Sequence, residues 1–430
     1  MISSIFLSVI PASPGAAGRN LDKSPPVSPD MAPPSAPTRA DVVVIGGGCM
    51  GASTAFHLAR KGLDVILVER RHLASGATGH SGAIVRQHYE TRIGIRLARE
   101  SLRFFQRFEA ETGHPCDFRQ TGFLSGARPR DARAFDVLLA LLHSEGVRVE
   151  RLSPREAMDV EPQLVSSDLA AVVHDPDAGY ADPIATAVGF GTAARDHGAT
   201  ILENSTVKGF ATRRGRVTGV RLRSARTIAS DRVVLTVGNW TPRLARTVGV
   251  RLPIRFVRGE VAILRRPSSF GAPPKIHFDF YGNTYSRPEG DKDVLVGYMD
   301  TPVHRTSTEP ELRDDSVPTS TVHDLRRRLA ARFPAMARAQ PRGGWAGLYD
   351  VTPDAYPILD AVGPEGLYVA VGFSGHGFKL APAVGRLLAE FVSAGRRPEA
   401  LAPLRASRFR EHALIQPEAP FPARRGSRLP

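Results

Sequence analysis

The sequence predicts an α/β fold, a mixed α+β arrangement in which a parallel-sheet domain is interrupted by a strand-rich insertion. Three observations predict it. Val42–Ile45 is a continuous β-branched run followed by a glycine turn, a helical stretch and a second apolar strand. Near the other end Leu367–Val371 reads as a strand followed by a glycine-rich turn and another helix. Between them the chain turns to short alternating strands. Continuous apolar runs belong to strands buried on both faces, and alternation to strands buried on one.

Taken in order, Asp41–Glu69 reads as strand, turn, helix, strand. The helix spans Met50–Lys61 and Gly62 ends it, glycine being the residue that most readily takes the left-handed conformation past a helix end. Val65–Val68 is the second buried strand, and a loop rich in Gly and Ser runs from His72 to Ala83. Ile93–Glu111 and Ala132–Ser144 read as helices. Strands are expected near Thr200–Leu202, Arg216–Leu222, Arg232–Val237, Ile254–Leu264 and Val294–Tyr298. Asp182–His197 is a helix, with Asp182 as N-cap and Pro183 at the first position. A last helix covers about Gly377–Ser393.

Composition bounds the function. The chain has 430 residues, 42% apolar and 23% charged, ordinary for a globular protein with a sizeable core. Two cysteines, Cys49 and Cys116, exclude a disulfide scaffold and a Cys-rich metal site. No metal site is expected: H-E-x-x-H and C-x-x-C are absent, as are a P-loop and a G-x-S-x-G elbow. The net charge is +14, carried by arginine far more than lysine, with no compact basic run interleaved with aromatics, so nucleic acid is not the expected partner. No apolar stretch is long enough for a transmembrane segment. Residues 1–40, with eight prolines and seven serines, read as a disordered leader. Its apolar run Ile5–Ile10 has no preceding basic residue, unlike an export signal, so the cytoplasm is the expected compartment and Met31 serves as well as Met1 for a start. Residues 396–430 read as a basic tail, with eight arginines against three glutamates.

Gly46, Gly48 and Gly51 form G-x-G-x-x-G between the first strand and its helix. The first glycine permits the tight turn, the second lets the backbone approach a pyrophosphate, and the third lets helix and strand pack closely. The helix N-terminus offers N–H groups and a positive dipole end to phosphates. Glu69 closes the second strand, where an acid accepts from the ribose hydroxyls of adenosine. A near match at Gly189–Ala194 lies inside a predicted helix and is discarded, and Cys49 is read as a small turn residue without redox duty. The first domain is therefore Rossmann-like, and the fingerprint is common to NAD and FAD proteins.

Five further segments decide between them: His72–Arg86, Gly179-Tyr-Ala-Asp-Pro183, Arg232–Trp240, Trp345–Asp354 and Gly372-Phe-Ser-Gly-His-Gly-Phe-Lys379. In this order, over about residues 41–395, the chain resembles the FAD-dependent amino-acid oxidoreductases of the D-amino-acid oxidase superfamily, most like sarcosine oxidases, the sarcosine oxidase β subunit and dimethylglycine dehydrogenase. The resemblance implies FAD and a mixed-sheet substrate domain inserted into an FAD-binding domain. It places 41–115, 165–248 and 344–395 in the FAD-binding domain and 116–164 and 249–343 in the substrate domain. It adds Met50, Arg70, Thr78, Ser81, Val207, Gly238, Trp240, Gly375, Gly377 and Phe378 to the cofactor-binding residues.

For the substrate, the resemblance implies Arg86 and Lys379 at a carboxylate, Tyr285 over the pocket and His376 near the flavin. A guanidinium fork suits bidentate carboxylate binding. Lys379 starts a helix, a poor place for a cation unless an anion is near. His80 lies near the histidine that dimethylglycine dehydrogenase links to FAD, but its neighbours differ. The cysteine that holds FAD in monomeric sarcosine oxidase falls near Gly347, and the histidine that holds a second flavin in the β subunit falls near Ala181. Noncovalent FAD is therefore expected. The lysine that promotes reaction with oxygen falls near Leu295, with Lys292 the nearest alternative, which leaves both O2 and a protein or quinone as electron acceptor.

The leading expectation is oxidation of the C–N bond of a small N-methyl or cyclic amino acid by hydride transfer to flavin N5. One alternative is a 2-hydroxy-acid dehydrogenase with a similar clamp. Another is a flavoprotein subunit or assembly factor, in a hetero- or homo-oligomer, with the basic tail as its docking segment.

Overall fold

A computed structural model of the chain describes residues 37–300, 306–307, 310 and 314–421. The expected leader, apart from its last four residues, and the alternative start at Met31 lie outside them. The fold begins at Val42–Ile45, whose four side chains are all buried. This strand lies at the middle of a six-stranded sheet ordered Ile358–Ala361, Leu367–Val371, Val233–Leu235, Val42–Ile45, Val65–Val68, Thr200–Leu202. Every pairing is parallel except that of Ile358–Ala361. The helix Cys49–Arg60 crosses behind it, packed between Pro183–Asp196 and Gly377–Ala394. Eleven of its twelve residues are buried, Ser53, Thr54 and His57 among them, so the helix is enclosed on all sides.

Local signals placed most ends. Gly62 takes φ +81° just past the first helix and donates to Ala59 O at 2.8 Å. The Asp182 carboxylate accepts from Ala185 N at 2.7 Å, with Pro183 at the first position. The near-match glycines Gly189 and Gly191 lie inside that helix. The expected helix over 93–111 is two, Arg92–Gln106 and Phe108–Thr112, broken at Arg107 and ended by Gly113 in the left-handed conformation.

Among the described residues a second, nine-stranded mixed sheet forms the other layer. Its order is Thr306–Ser307, Arg255–Arg265, Asp293–Tyr298, Thr284–Glu289, Ile276–Asp279, Phe123–Ala127, Ala171–Asp175, Glu150–Leu152, with Gln340–Val351 also paired to Arg255–Arg265. Residues 171–175 and 344–351, assigned by sequence to the nucleotide domain, pair in this larger sheet. Both are strands whose partners lie far along the chain, so no local signal says which sheet they join. Residues 207–229 form a separate three-stranded antiparallel sheet.

The segment expected as a basic tail does not hang free where it is described. Leu401, Leu404, Arg408, Ala419 and Phe421 are buried. Arg397 pairs with Asp360 and Arg408 with Asp354, partners on the body that neutralise charges counted as excess in the sequence, while Arg405 pairs with Glu411 within the segment itself. Among the described residues no helix is long and apolar enough to cross a membrane.

Candidate active site

Two helix N-termini open onto one cavity of about 800 Å³, a size that encloses a cofactor-scale ligand. The first belongs to Cys49–Arg60. Its N-cap Gly48 supplies no side chain, and Gly46, Gly48 and Met50 line the cavity. Gly46 needs its glycine, with φ +107°. Gly51 does not line the cavity. A Cβ there would lie 1.9 Å from Gly46 O, so its task is the close approach of helix to turn. Thr78 accepts from Cys49 N at 3.0 Å, and Ser81 accepts from Ala83 N at 3.0 Å; both line the cavity. Burial pushes the Cys49 thiol up to about 11, against the opposing bond from Thr78, which leaves it protonated and unreactive at neutral pH.

Glu69 also lines the cavity. Oε2 accepts from Gly47 N at 2.7 Å and Oε1 from Arg71 N at 2.9 Å, so the carboxylate braces the glycine turn at the cavity wall. The Arg70 guanidinium lies 3.9 Å from the Trp240 ring centroid. Val207 and Gly238 complete this end. Next to Gly238, Asn239 Oδ1 is buried and has no hydrogen-bond partner among the described residues.

The second helix, Gly377–Ala394, also lacks a side-chain cap; Gly375, Gly377, Phe378 and Lys379 line the cavity there. His376 lies at its N-cap and is held on both sides. Nε2 is 2.9 Å from Ala355 O and Nδ1 is 3.2 Å from the Tyr89 hydroxyl. A carbonyl can only accept, so Nε2 carries the proton and Nδ1 accepts from Tyr89. The ring lines the cavity and is a brace between two segments, with both nitrogens engaged.

Arg86 and Lys379, 293 residues apart in sequence, meet at Tyr89. The Arg86 guanidinium lies 4.9 Å from the Tyr89 ring centroid and 4.8 Å from that of Phe278, and Lys379 Nζ lies 5.8 Å from the same Tyr89 ring. Arg86 is only 2% exposed and Lys379 8%, and Arg86 also donates to His88 O. Buried cations held over aromatic faces at a cavity wall are suited to an anion.

Tyr285 lies on Thr284–Glu289 and lines the cavity. Gly297 opposite it leaves room for the ring, since a Cβ there would lie 2.7 Å away. Burial, then the neighbouring Tyr349 to which it is hydrogen-bonded, hold the Tyr285 phenol well above its ordinary value, so it is a neutral hydroxyl and not a base. Among the described residues the carboxylates lining the cavity are Glu69 and Asp350. Burial raises Asp350 to about 6, although its Oδ2 accepts from Gly372 N at 2.7 Å. Leu295 is fully buried, whereas Lys292 is exposed and does not line the cavity. Gly347 lines it beside His80, whose Nδ1 is 3.1 Å from Gly76 O.

Sequence reasoning missed Tyr89, Tyr349 and Asn239. Tyr349 and Asn239 stand inside quoted segments and Tyr89 three residues after Arg86, so the signal was adjacency, without any cue to side-chain direction.

The residues fit an elongated anionic dinucleotide. Helix N-termini whose N-cap residues supply no side-chain bond stand at two points of one cavity, an acceptor is left orphaned at Asn239, and the glycine turn admits no Cβ at Gly51. Fold and site define an α/β scaffold suited to a dinucleotide. Residues 41–391 match the DAO family, FAD dependent oxidoreductase, and the chain belongs to that family, whose cofactor is FAD. It is similar to 4-methylaminobutanoate oxidase (formaldehyde-forming) of Paenarthrobacter nicotinovorans, 30% identical over 84% of this chain and 44% of that protein. It is similar to sarcosine oxidase subunit beta of an Arthrobacter species, 28% identical over 87% of this chain and 92% of that one. Among solved structures it is similar to L-proline dehydrogenase from P. horikoshii, with TM-score 0.81, 26% identity, 89% of this chain and all of that one covered. The chain spans less than half the length of the first of these relatives.

Proposed function

We propose that the chain oxidises the C–N bond of a small amino acid, N-methylated or cyclic, leaving an imine that water hydrolyses. The observation that carries this reading is the meeting of two buried cations, Arg86 and Lys379, at one aromatic ring on the cavity wall. Arg86 and Lys379 bind and orient the carboxylate. Phe278, Phe280, Tyr285 and Tyr349 offer apolar walls to the methyl group or ring carbons. FAD, when bound noncovalently, supplies the two-electron acceptor for the hydride equivalent. The chain's share is to hold the reacting carbon in place and exclude water. Among the described residues no carboxylate other than Asp350 lines the cavity beside the tyrosines, and its Oδ2 accepts from Gly372 N.

Relatives named for N-methyl and cyclic amino acids support this substrate class. The oxygen-promoting lysine of the resembled oxidase falls near Leu295, which is buried, and the nearest alternative, Lys292, does not line the cavity, which favours a protein or quinone acceptor over O2; the relative named as a subunit favours a hetero-oligomer. The test is the visible spectrum of the purified protein under anaerobic conditions, with sarcosine, 4-methylaminobutanoate, proline and lactate added in turn. Bleaching by the amines and not by lactate is expected. Bleaching by lactate alone would transfer the reading to hydroxy acids, and subsequent admission of air separates oxidase from dehydrogenase.

A further inference from the structure

Arg408, in the segment expected as a free tail, is fully buried. It holds Asp354 with two hydrogen bonds, Nε to Oδ2 at 2.8 Å and Nη2 to Oδ1 at 2.9 Å, and also donates to Tyr356 O at 2.7 Å. Between those two partners stands Ala355, with φ +61°, a conformation that a residue with a Cβ adopts only when its surroundings impose it. The carbonyl so presented accepts from His376 Nε2, and His376 Nδ1 accepts from the Tyr89 hydroxyl. The Tyr89 ring is the face shared by Arg86 and Lys379. A second tie runs beside the first. Glu418 N donates to Glu90 O at 2.8 Å and Phe421 N to Glu90 Oε1 at 3.0 Å, while the Phe421 ring packs 5.4 Å from Phe280, a residue of the cavity wall.

We infer that residues 399–421 are a strap that sets the substrate clamp, with Arg408 as a positioning residue acting through Asp354, Ala355, His376 and Tyr89 on Arg86 and Lys379. The inference rests on the carboxylate reading of those two cations. Lys at position 408 retains charge but loses the two-pronged bond and the carbonyl contact, so the turn carrying Ala355 relaxes and Tyr89 loses its fixed partner. Misplacing a clamp by a fraction of an ångström costs binding without removing any group that touches the substrate.

The experiment titrates acetate, a bare carboxylate, into the FAD-loaded full-length protein, followed by the change in flavin absorbance. Wild type is compared with Arg408→Lys, Tyr89→Phe, the double variant and Arg86→Ala, with unfolding midpoints recorded for each. Arg408→Lys and Tyr89→Phe should each weaken acetate by about tenfold. The double variant should be little worse than the weaker single, because both changes cut one chain of contacts. In turnover, KM should rise by a larger factor than kcat falls. Acetate affinity unchanged in a folded Arg408→Lys would overturn the inference. Should that variant not fold, Tyr89→Phe decides, and unchanged affinity there overturns it equally. Loss of acetate binding in Arg86→Ala alone would keep the clamp and remove the strap, whereas intact binding in Arg86→Ala would remove the clamp and this inference with it.

Discussion

The two ends of the cavity are built in opposite ways. The proposed pyrophosphate end is local: Gly46 to Gly51, with Glu69 eighteen residues on, make it from one strand, one turn and one helix. Its chemistry is backbone N–H groups and the absence of side chains. The proposed substrate end joins Arg86, Tyr89, Tyr285, Tyr349 and Lys379 from separate stretches, and its chemistry is buried charge and paired hydroxyls. The first end is therefore sensitive to volume and tolerant of polarity. The second is sensitive to polarity at each side chain.

Volume should give the largest effect. In Gly51→Val the added atoms meet the Gly46 carbonyl, a backbone group that cannot swing aside. We expect a stability loss of about 3 kcal/mol or more together with loss of bound flavin, read by urea unfolding and flavin content. A flavin-replete variant with the wild-type midpoint would break the contrast at its stronger side.

Arg86→Ala should raise KM by about 30–150-fold, the loss of a charge-assisted contact of roughly 2–3 kcal/mol, with flavin content unchanged. Steady-state kinetics on the substrate found by anaerobic bleaching checks it, and an unchanged KM refutes the clamp.

Asp350 sharpens the contrast through pH. Burial raises its carboxyl from the ordinary 3.8 to about 6, so between those values the folded chain holds a proton that the unfolded chain has released. Its contribution to stability is complete below about pH 4 and is lost as pH rises through 6. Asp350→Asn should therefore be the more stable protein at pH 7, by on the order of 1–3 kcal/mol, and the gap should close toward pH 4. Unfolding midpoints across that range measure it; a gap independent of pH would refute the assignment.

Glu69→Gln should give the smallest change. An amide oxygen can still accept one of the two N–H groups that Glu69 now takes, and the expected loss is about 1 kcal/mol, or fivefold in FAD affinity by equilibrium dialysis. A larger loss than that of Arg86→Ala would show that the pyrophosphate end depends on charge after all.

Legibility follows the same division. Val42–Ile45, the glycine turn, Gly62 and the Asp182 cap stand where the sequence places them, because each is fixed by residues within a few positions of itself. The break at Arg107 was invisible: the 93–111 pattern stays helical on both sides of it. The role of His376 was half legible. Its place at the glycine turn was in the sequence, but the partners that occupy both ring nitrogens come from residues 89 and 355. Arg408 was read as surplus charge because a count of arginines carries no information about where a buried aspartate waits.

The sequence by itself determined the dinucleotide turn, the alternation of helix and buried strand around it, and two cations in segments resembling a family. Only the tertiary structure decided that those cations share one tyrosine, that Tyr285 pairs with Tyr349, and that the C-terminal segment packs behind them. The physical reason is range. Turns, caps and strand burial are set by steric and hydrogen-bonding preferences of neighbouring residues, whereas a buried charge is stable only opposite a partner. Which partner it meets is chosen by the packing of the whole chain.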